Sequence, residues 1–168
     1  MECRVSSNSS IMKLKNFFKL IGAIVVCEGA GAIGTLFTIG SVKAWYPTLH
    51  MPVLSPPSWV FGPVWSLLYT LMGIALYLIW QSNSPHKKRA LWLFWIQLAL
   101  NTLWSPIFFG AYAIGLALVI IVLMWLSIYL TIRAFQKISK PASRLLLPYL
   151  AWVSFATYLN FALWWLNK

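Results

Sequence analysis

The chain has 168 residues, of which 61% are hydrophobic and 9% are charged, and its mean hydropathy is +0.77. A soluble domain is about one quarter charged, so this composition excludes an ordinary soluble domain and indicates a membrane protein. A net charge of +11 would suggest a nucleic-acid partner in a soluble chain, but here the basic residues flank apolar segments. We therefore interpret them as a topology signal and expect no nucleic-acid partner.

The N-terminal residues 1–16 are polar and basic, and we predict that they form a tail before the membrane domain, residues 17–168. A basic flank followed by an apolar run resembles a signal peptide. The run contains Glu28, however, and four further apolar segments follow it. We therefore predict a retained first helix.

Five segments reach the length of about 20 apolar residues that a helix needs to cross a bilayer. Long uncharged runs in lipid form helices or a closed barrel, and the sequence lacks the alternation of barrel strands. We predict an all-α membrane protein, a bundle of five transmembrane helices. The predicted helices are residues 17–39, 59–80, 90–110, 113–135 and 145–166. Pro106, Gly110 and Gly115 predict a bend between the third and fourth, because proline removes a backbone donor and glycine lowers helix stability.

Basic residues are distributed unevenly between the two sides of this predicted bundle. Eleven of the thirteen Lys and Arg lie on the side of the N-terminus, whereas the other side has only Lys43 and Lys168. The positive-inside rule places the N-terminus in the cytoplasm. We predict a multi-pass protein of a prokaryotic inner membrane, in which the loop between the first and second helices faces outward.

Glu28 is the one acid in the predicted spans, and burying its charge there is expensive. Two interpretations stay open: a neutral carboxyl group bonded to a neighbouring helix, or a proton relay in a transporter. The adjoining stretch GAGAIG, residues 29–34, has the glycine spacing of a dinucleotide site. That site also needs a preceding strand and a later acid, so we interpret Ala30 and Gly34 as small residues for close helix packing.

The loop after the first helix contains WYPTLHMPVLSPPSWVFGPVW, residues 45–65. Its prolines keep the chain extended, a Pro-Pro pair suits the first turn of a helix, and its aromatic rings favour the membrane interface. The loop is either a stiff aromatic belt or a lid over a pocket on that face. The predicted lid residues are Trp45, Tyr46, Pro52, Pro56 and Pro57.

Two later helices each have a face that suits a pocket wall. Gln97, Asn101 and Trp104 share one face of the third helix at helical spacing. Polar groups in lipid are costly unless they are paired, so this face points inward, either to form a helix–helix hydrogen bond or to line a pocket. On the fifth predicted helix, aromatic rings beside a small residue suit a flat apolar ligand. That face consists of Tyr149, Trp152, Ala156 and Leu159.

The loop motif, followed by LLY, then QLALNTLWSPIFFG and LPYLAWVSFATYLN, resembles the TspO/MBR family of translocator and tryptophan-rich sensory proteins over residues 31–160. The resemblance implies a five-helix bundle, often a homodimer, with a pocket capped by the first loop. It also implies binding of porphyrin, haem or similar flat apolar ligands, of sterols in some members, and light-dependent porphyrin breakdown in some bacterial members. For a eukaryotic protein it implies the mitochondrial outer membrane.

The resemblance carries ligand-binding roles onto named residues of this chain. Trp65 in GPVW and Trp152 in PYLAW match pocket tryptophans, and Asn101 in LALN matches a polar pocket residue. Ala156 and Leu159 in FATYLN match ligand-lining positions. The predicted ligand-binding set is Trp65, Tyr69, Gln97, Asn101, Trp104, Trp152, Ala156 and Leu159.

One family pattern is missing. Animal members have a sterol-recognition pattern at the end of the fifth helix, with a tyrosine directly after an asparagine and an arginine a few residues later. At these two positions this chain has Phe161 and Trp165. A loose match at Leu126, Tyr129 and Arg133 is a weak sterol pattern. The sequence therefore does not decide whether the protein binds cholesterol.

The sequence contains no Ser/His/Asp set, carboxylate pair or Cys/His spacing of a metal site. We predict no catalytic or metal-binding residues and no obligatory cofactor. The predicted function is that of a receptor or sensor for tetrapyrroles, with the lipid bilayer, an apolar small molecule and a second copy as partners. The alternatives are a small transporter that uses Glu28 and a weak light-dependent porphyrin-degrading activity.

Overall fold

The computed structural model describes the backbone of residues 3–168 and the side chains from residue 14 onward. Its helices are α1 (Cys3–Ala44), α2 (Phe61–Trp80), α3 (Lys87–Ser105), α4 (Ile114–Gln136), α5 (Lys140–Leu145) and α6 (Leu147–Leu166). Within this part of the chain, five segments are long and apolar enough to cross a membrane, the fifth made of α5 and α6 together. The predicted all-α membrane protein with five transmembrane helices is confirmed.

The first helix is longer than the prediction at both ends. It begins at Cys3 instead of residue 17, so most of the predicted tail has a helical backbone, and residues 1–2 lie outside the described part. The sequence contains no helix-breaking residue before Gly22. The helix then continues to Ala44 and ends just before Pro47, whose ring removes a backbone donor.

The five spans form a ring of neighbours. Helix α1 packs against α2 and α3, α3 packs against α4, and α4 packs against α6. The short α5 closes the ring, because it packs against both α2 and α4. Glycine allows the closest of these approaches: a Cβ at Gly73 of α2 would lie 2.6 Å from Cα of Ile24 in α1.

The predicted bend after the third helix is a π-helical turn, Pro106–Gly110. The amide of Ala111 donates to the carbonyl oxygen of Pro106 at 2.9 Å, five residues back, which is the hydrogen-bond spacing of a π-helix. Tyr112 then takes a positive φ of 56° before α4 begins. Gly115, predicted as part of the bend, already belongs to α4.

The fifth span is interrupted near its start, where one continuous helix was predicted from residue 145. Helix α5 begins earlier, because the Ser139 side chain caps it by accepting a hydrogen bond of 3.3 Å from the Ala142 amide. The helix is interrupted at Leu146, and α6 restarts with Pro148 in its first turn, where a missing N–H costs nothing.

Candidate functional site

A cavity of about 920 Å³ lies between α1, α2, α3 and α6, beneath the loop that joins α1 to α2. This volume is in the range of sites for small organic molecules. Its wall along α1 runs from Glu28 to Lys43, and Ile121 and Met124 of α4 complete the far side. The cavity therefore lies in the half of the bundle that carries the α1–α2 loop.

Most of the predicted ligand-binding residues line this one cavity. They are Trp65, Tyr69, Asn101, Trp104, Trp152, Ala156 and Leu159. Gln97 is not among the lining residues. It is 1% exposed, one turn before Asn101, and its side-chain nitrogen and oxygen have no hydrogen-bond partner among the described residues. It shares the predicted helix face but lies where the helices pack too closely to leave a cavity.

A chain of side-chain hydrogen bonds crosses the cavity wall. The Tyr69 hydroxyl donates to Oδ1 of Asn101 at 2.5 Å, and Nδ2 of Asn101 donates to the Tyr149 hydroxyl at 2.9 Å. All three residues are buried. These two hydrogen bonds join α2, α3 and α6, so Asn101 both lines the cavity and connects the helices to one another.

A second amide connects three spans nearer the end of α3. The indole N–H of Trp104 donates to Oδ1 of Asn160 at 3.0 Å, and Nδ2 of Asn160 donates to the Ile114 carbonyl at 3.1 Å. The Trp104 ring stacks on Phe108, with centroids 5.0 Å apart. Sequence reasoning missed Asn160 as a lining residue, although it follows Ala156 by four residues and so shares its face.

The two tryptophans assigned by the resemblance lie in different aromatic groups of the same cavity. The Trp65 ring stacks on the Tyr69 ring, with centroids 5.5 Å apart and an interplanar angle of 28°. The Trp152 ring meets the Phe61 ring edge-on, with centroids 6.1 Å apart and an interplanar angle of 72°. The indole N–H of Trp152 is buried and has no hydrogen-bond partner among the described residues. Buried donors are usually paired, and this one has no surface exposed to the cavity, so Trp152 lines the cavity with other atoms of its side chain.

The loop above the cavity packs onto the π-helical turn. The Trp45 ring lies 5.8 Å from that of Phe108, and the Tyr46 ring lies 5.8 Å from that of Phe109. Of the predicted lid residues only Tyr46 lines the cavity; the other four, Trp45, Pro52, Pro56 and Pro57, are not among the lining residues. Burial raises the pKa of the Tyr46 hydroxyl, so it remains a neutral donor at the mouth. Trp59, 75% exposed, also lines this end.

The same loop is tied to the end of α6. The His50 amide donates to Oδ1 of Asn167 at 2.9 Å, and Nδ2 of Asn167 donates to the His50 carbonyl at 3.2 Å. Nδ2 of Asn167 also donates to the Leu163 carbonyl at 2.8 Å, which holds the amide on its own helix. These bonds fix the loop relative to the wall that it covers.

Sequence reasoning also missed the wall that α1 contributes. Thr70 of α2 donates to Oε1 of Glu28 at 3.0 Å, and Glu28 lines the cavity at mid-helix. A Cβ at Gly31 would collide with the Tyr69 ring, and one at Gly34 would lie 3.1 Å from Oγ of Ser105. Ala30 and Gly34 were interpreted as packing residues; Gly34 does allow close approach, and both Gly31 and Gly34 also line the cavity.

Known proteins resemble this chain along most of its length. The model of a family described as the TspO/MBR family matches residues 23–166. The chain is 43% identical to the Tryptophan-rich protein TspO of Archaeoglobus fulgidus over 152 residues. The matched region covers 90% of this chain and 99% of that protein. It is 44% identical over 135 residues to the Translocator protein of Homo sapiens, covering 79% and 80%. It is 39% identical over 137 residues to the Tryptophan-rich sensory protein of Cereibacter sphaeroides, covering 82% and 85%.

Proposed function

The chain belongs to the TspO/MBR family of membrane proteins, and on this premise we propose that it is a receptor or sensor that binds tetrapyrroles or similar flat apolar molecules. The proposed site is the cavity beneath the α1–α2 loop. The observation that carries the proposal is that Trp65 and Trp152, from two different spans, line this one cavity.

The cavity has the chemistry that a flat aromatic ligand needs. Indole and phenol rings offer faces and edges for stacking, and Trp65, Trp104 and Trp152 all contribute to the wall. The amides of Asn101 and Asn160 are already paired with the protein.

A transporter of such ligands is the second candidate, and Glu28 is the observation that favours it. A carboxyl group lies at mid-helix in α1, lines the cavity and accepts a hydrogen bond from Thr70 across the helix interface. Intramembrane acids serve as proton relays in transporters. The Thr70 contact supports a purely structural role of Glu28 equally well, because a neutral carboxyl group that only joins α1 to α2 would accept the same hydrogen bond.

For the cellular location, we propose a prokaryotic inner membrane with the N-terminus in the cytoplasm, because most Lys and Arg residues lie on the side of the N-terminus. The cavity mouth and its loop then face the opposite compartment. We also propose a homodimer, which the family resemblance implies and which a mass measurement in detergent tests.

Titration of purified protein with protoporphyrin, followed by quenching of tryptophan fluorescence, tests the proposed function. We expect saturable quenching in the dark, with the porphyrin recovered unchanged. Loss of the porphyrin absorbance only under illumination would favour the degrading activity instead. Quenching that rises linearly without saturation would contradict a binding site.

A further inference from the structure

The cavity wall has an acidic side chain at one end and a basic side chain at the other. Among the described residues that line it, two carry a formal charge, Glu28 and Lys43. They lie on the same helix, fifteen residues apart in the sequence, which is about 22 Å at 1.5 Å per residue. Glu28 lies in the middle of α1, whereas Lys43 lies in its last turn, beside the loop. The apolar and aromatic surface of the cavity lies between them.

Lys43 has no acidic partner within the described part of the chain. The one acidic side chain there is Glu28, and the separation along α1 is far beyond the reach of an ion pair. Lys43 is exposed to solvent and shares the cavity mouth with Tyr46 and Trp59. Its ammonium group is thus available to an anion that enters from the loop side.

The other basic residue at this end of the bundle behaves differently. The ammonium group of Lys168 lies 3.3 Å from the centroid of the Trp165 ring and 5.6 Å from that of Trp164. It is engaged with these rings and is not among the residues that line the cavity. Lys43 and Lys168 therefore form a matched pair: the same charge at the same end, one at the cavity and one away from it.

We propose that Lys43 determines ligand specificity by binding a carboxylate of the ligand, whose flat body lies deeper, among the tryptophans. The proposal rests on the proposed function and narrows it: the preferred ligands are flat apolar molecules with an acidic edge. The acidic edge stays at the wet mouth, where an anion is cheapest to place. The apolar body replaces water along the aromatic wall.

Two other roles for Lys43 would leave ligand preference unchanged. A lysine in the last turn of a helix favours the negative end of the helix dipole, and a lysine near the membrane surface attracts anionic lipid head groups. Neither role distinguishes an acidic ligand from its neutral ester. The comparison of an acid with its ester, in neutral detergent, therefore separates ligand binding from both.

The experiment titrates protoporphyrin IX and its dimethyl ester against the parent protein, Lys43→Gln, Lys43→Arg and the control Lys168→Gln, with tryptophan quenching as the readout. We expect Lys43→Gln to weaken binding of the acid about two- to fivefold, the scale of one exposed ion pair. Binding of the ester should not change. Lys43→Arg should restore the parent affinity, Lys168→Gln should match the parent, and added salt should reduce the effect.

The outcomes separate the two proposals. Binding of both porphyrins with no change in Lys43→Gln, or with an equal loss for acid and ester, overturns the role of Lys43 and leaves the proposed function standing. Failure of both porphyrins to bind the parent overturns the proposed function and this inference with it. A loss confined to the acid in Lys43→Gln, but reproduced by Lys168→Gln, reflects general surface charge and also overturns the role of Lys43.

Discussion

The Tyr69 hydroxyl and Oδ1 of Asn101 are joined by a hydrogen bond of 2.5 Å, between α2 and α3. The same asparagine bonds the Tyr149 hydroxyl of α6, so three of the five spans meet at one amide in the cavity wall. The Tyr69 ring also stacks on Trp65 and covers Gly31 of α1. This contact fixes both the spacing of the helices and the shape of the cavity.

We predict that Asn101→Leu destabilises the protein by about 1–2 kcal/mol, since it leaves two buried hydroxyl groups without their amide partner. Thermal unfolding in detergent measures the change. Adding Tyr69→Phe and Tyr149→Phe to Asn101→Leu should recover most of the loss, because removal of all partners leaves nothing unpaired. An Asn101→Leu protein as stable as the parent would show that the bonds contribute no stability.

We predict that Trp65→Phe and Trp152→Phe each weaken protoporphyrin binding by about 1 kcal/mol, the scale of one lost aromatic contact. The double variant should be non-additive, because both residues contact one ligand. Fluorescence titrations of the three variants measure the coupling.

Trp92→Phe is the control for this series. Trp92 lies near the start of α3, is 63% exposed and is not among the residues that line the cavity. Its substitution should leave the affinity unchanged. Equal affinities for the parent and all the variants would leave Trp65 and Trp152 as packing residues and remove the proposed site.

Composition and hydropathy were sufficient to predict the spans, because a bilayer imposes length and apolarity on every helix that crosses it. They could not predict the ring of neighbours that brings Trp65 of α2 and Trp152 of α6 to one cavity. Helical periodicity placed Gln97 and Asn101 on one face. It carries no information about depth, and one turn separates a packed core from a cavity wall.

The wall from α1 was missed for a related reason. Gly31 and Gly34 have no side chains to mark a cavity, and small residues in a span equally predict helix packing. Their second role follows only from the position of the Tyr69 ring opposite Gly31. Likewise, the tie between His50 and Asn167 joins residues 117 positions apart, which no local pattern reveals.

We predict that Glu28→Gln keeps the fold and most of the ligand affinity. Glutamine has nearly the same shape and retains an oxygen that accepts the hydrogen bond from Thr70. Thermal unfolding and porphyrin titration test this, with Thr70→Val as the variant that removes the bond itself. If parent vesicles show a pH-driven porphyrin flux that Glu28→Gln abolishes, the transporter replaces the receptor as the function.

We predict that reporter domains fused after Lys140 and after Lys168 report opposite compartments, with Lys140 in the cytoplasm. The first fusion ends at the start of α5 and the second follows the whole fifth span. The excess of Lys and Arg on the side of the N-terminus sets the orientation of the bundle in the membrane. Equal signals from the two fusions would contradict a fifth crossing, and opposite signals in the reverse sense would contradict the orientation alone.

We predict that Asn167→Ala loosens the α1–α2 loop without unfolding the bundle. The variant removes both bonds to His50, each of about 1 kcal/mol, so exchange of the His50 amide hydrogen should accelerate about tenfold or more. Asn167→Asp keeps the acceptor for that amide and loses the donor, so its exchange should be intermediate. Lys168→Ala is the neighbouring control. Porphyrin association and dissociation should both accelerate in Asn167→Ala, because the loop covers the mouth. Unchanged exchange at His50 would show that the packing of Trp45 and Tyr46 on the π-helical turn holds the loop by itself.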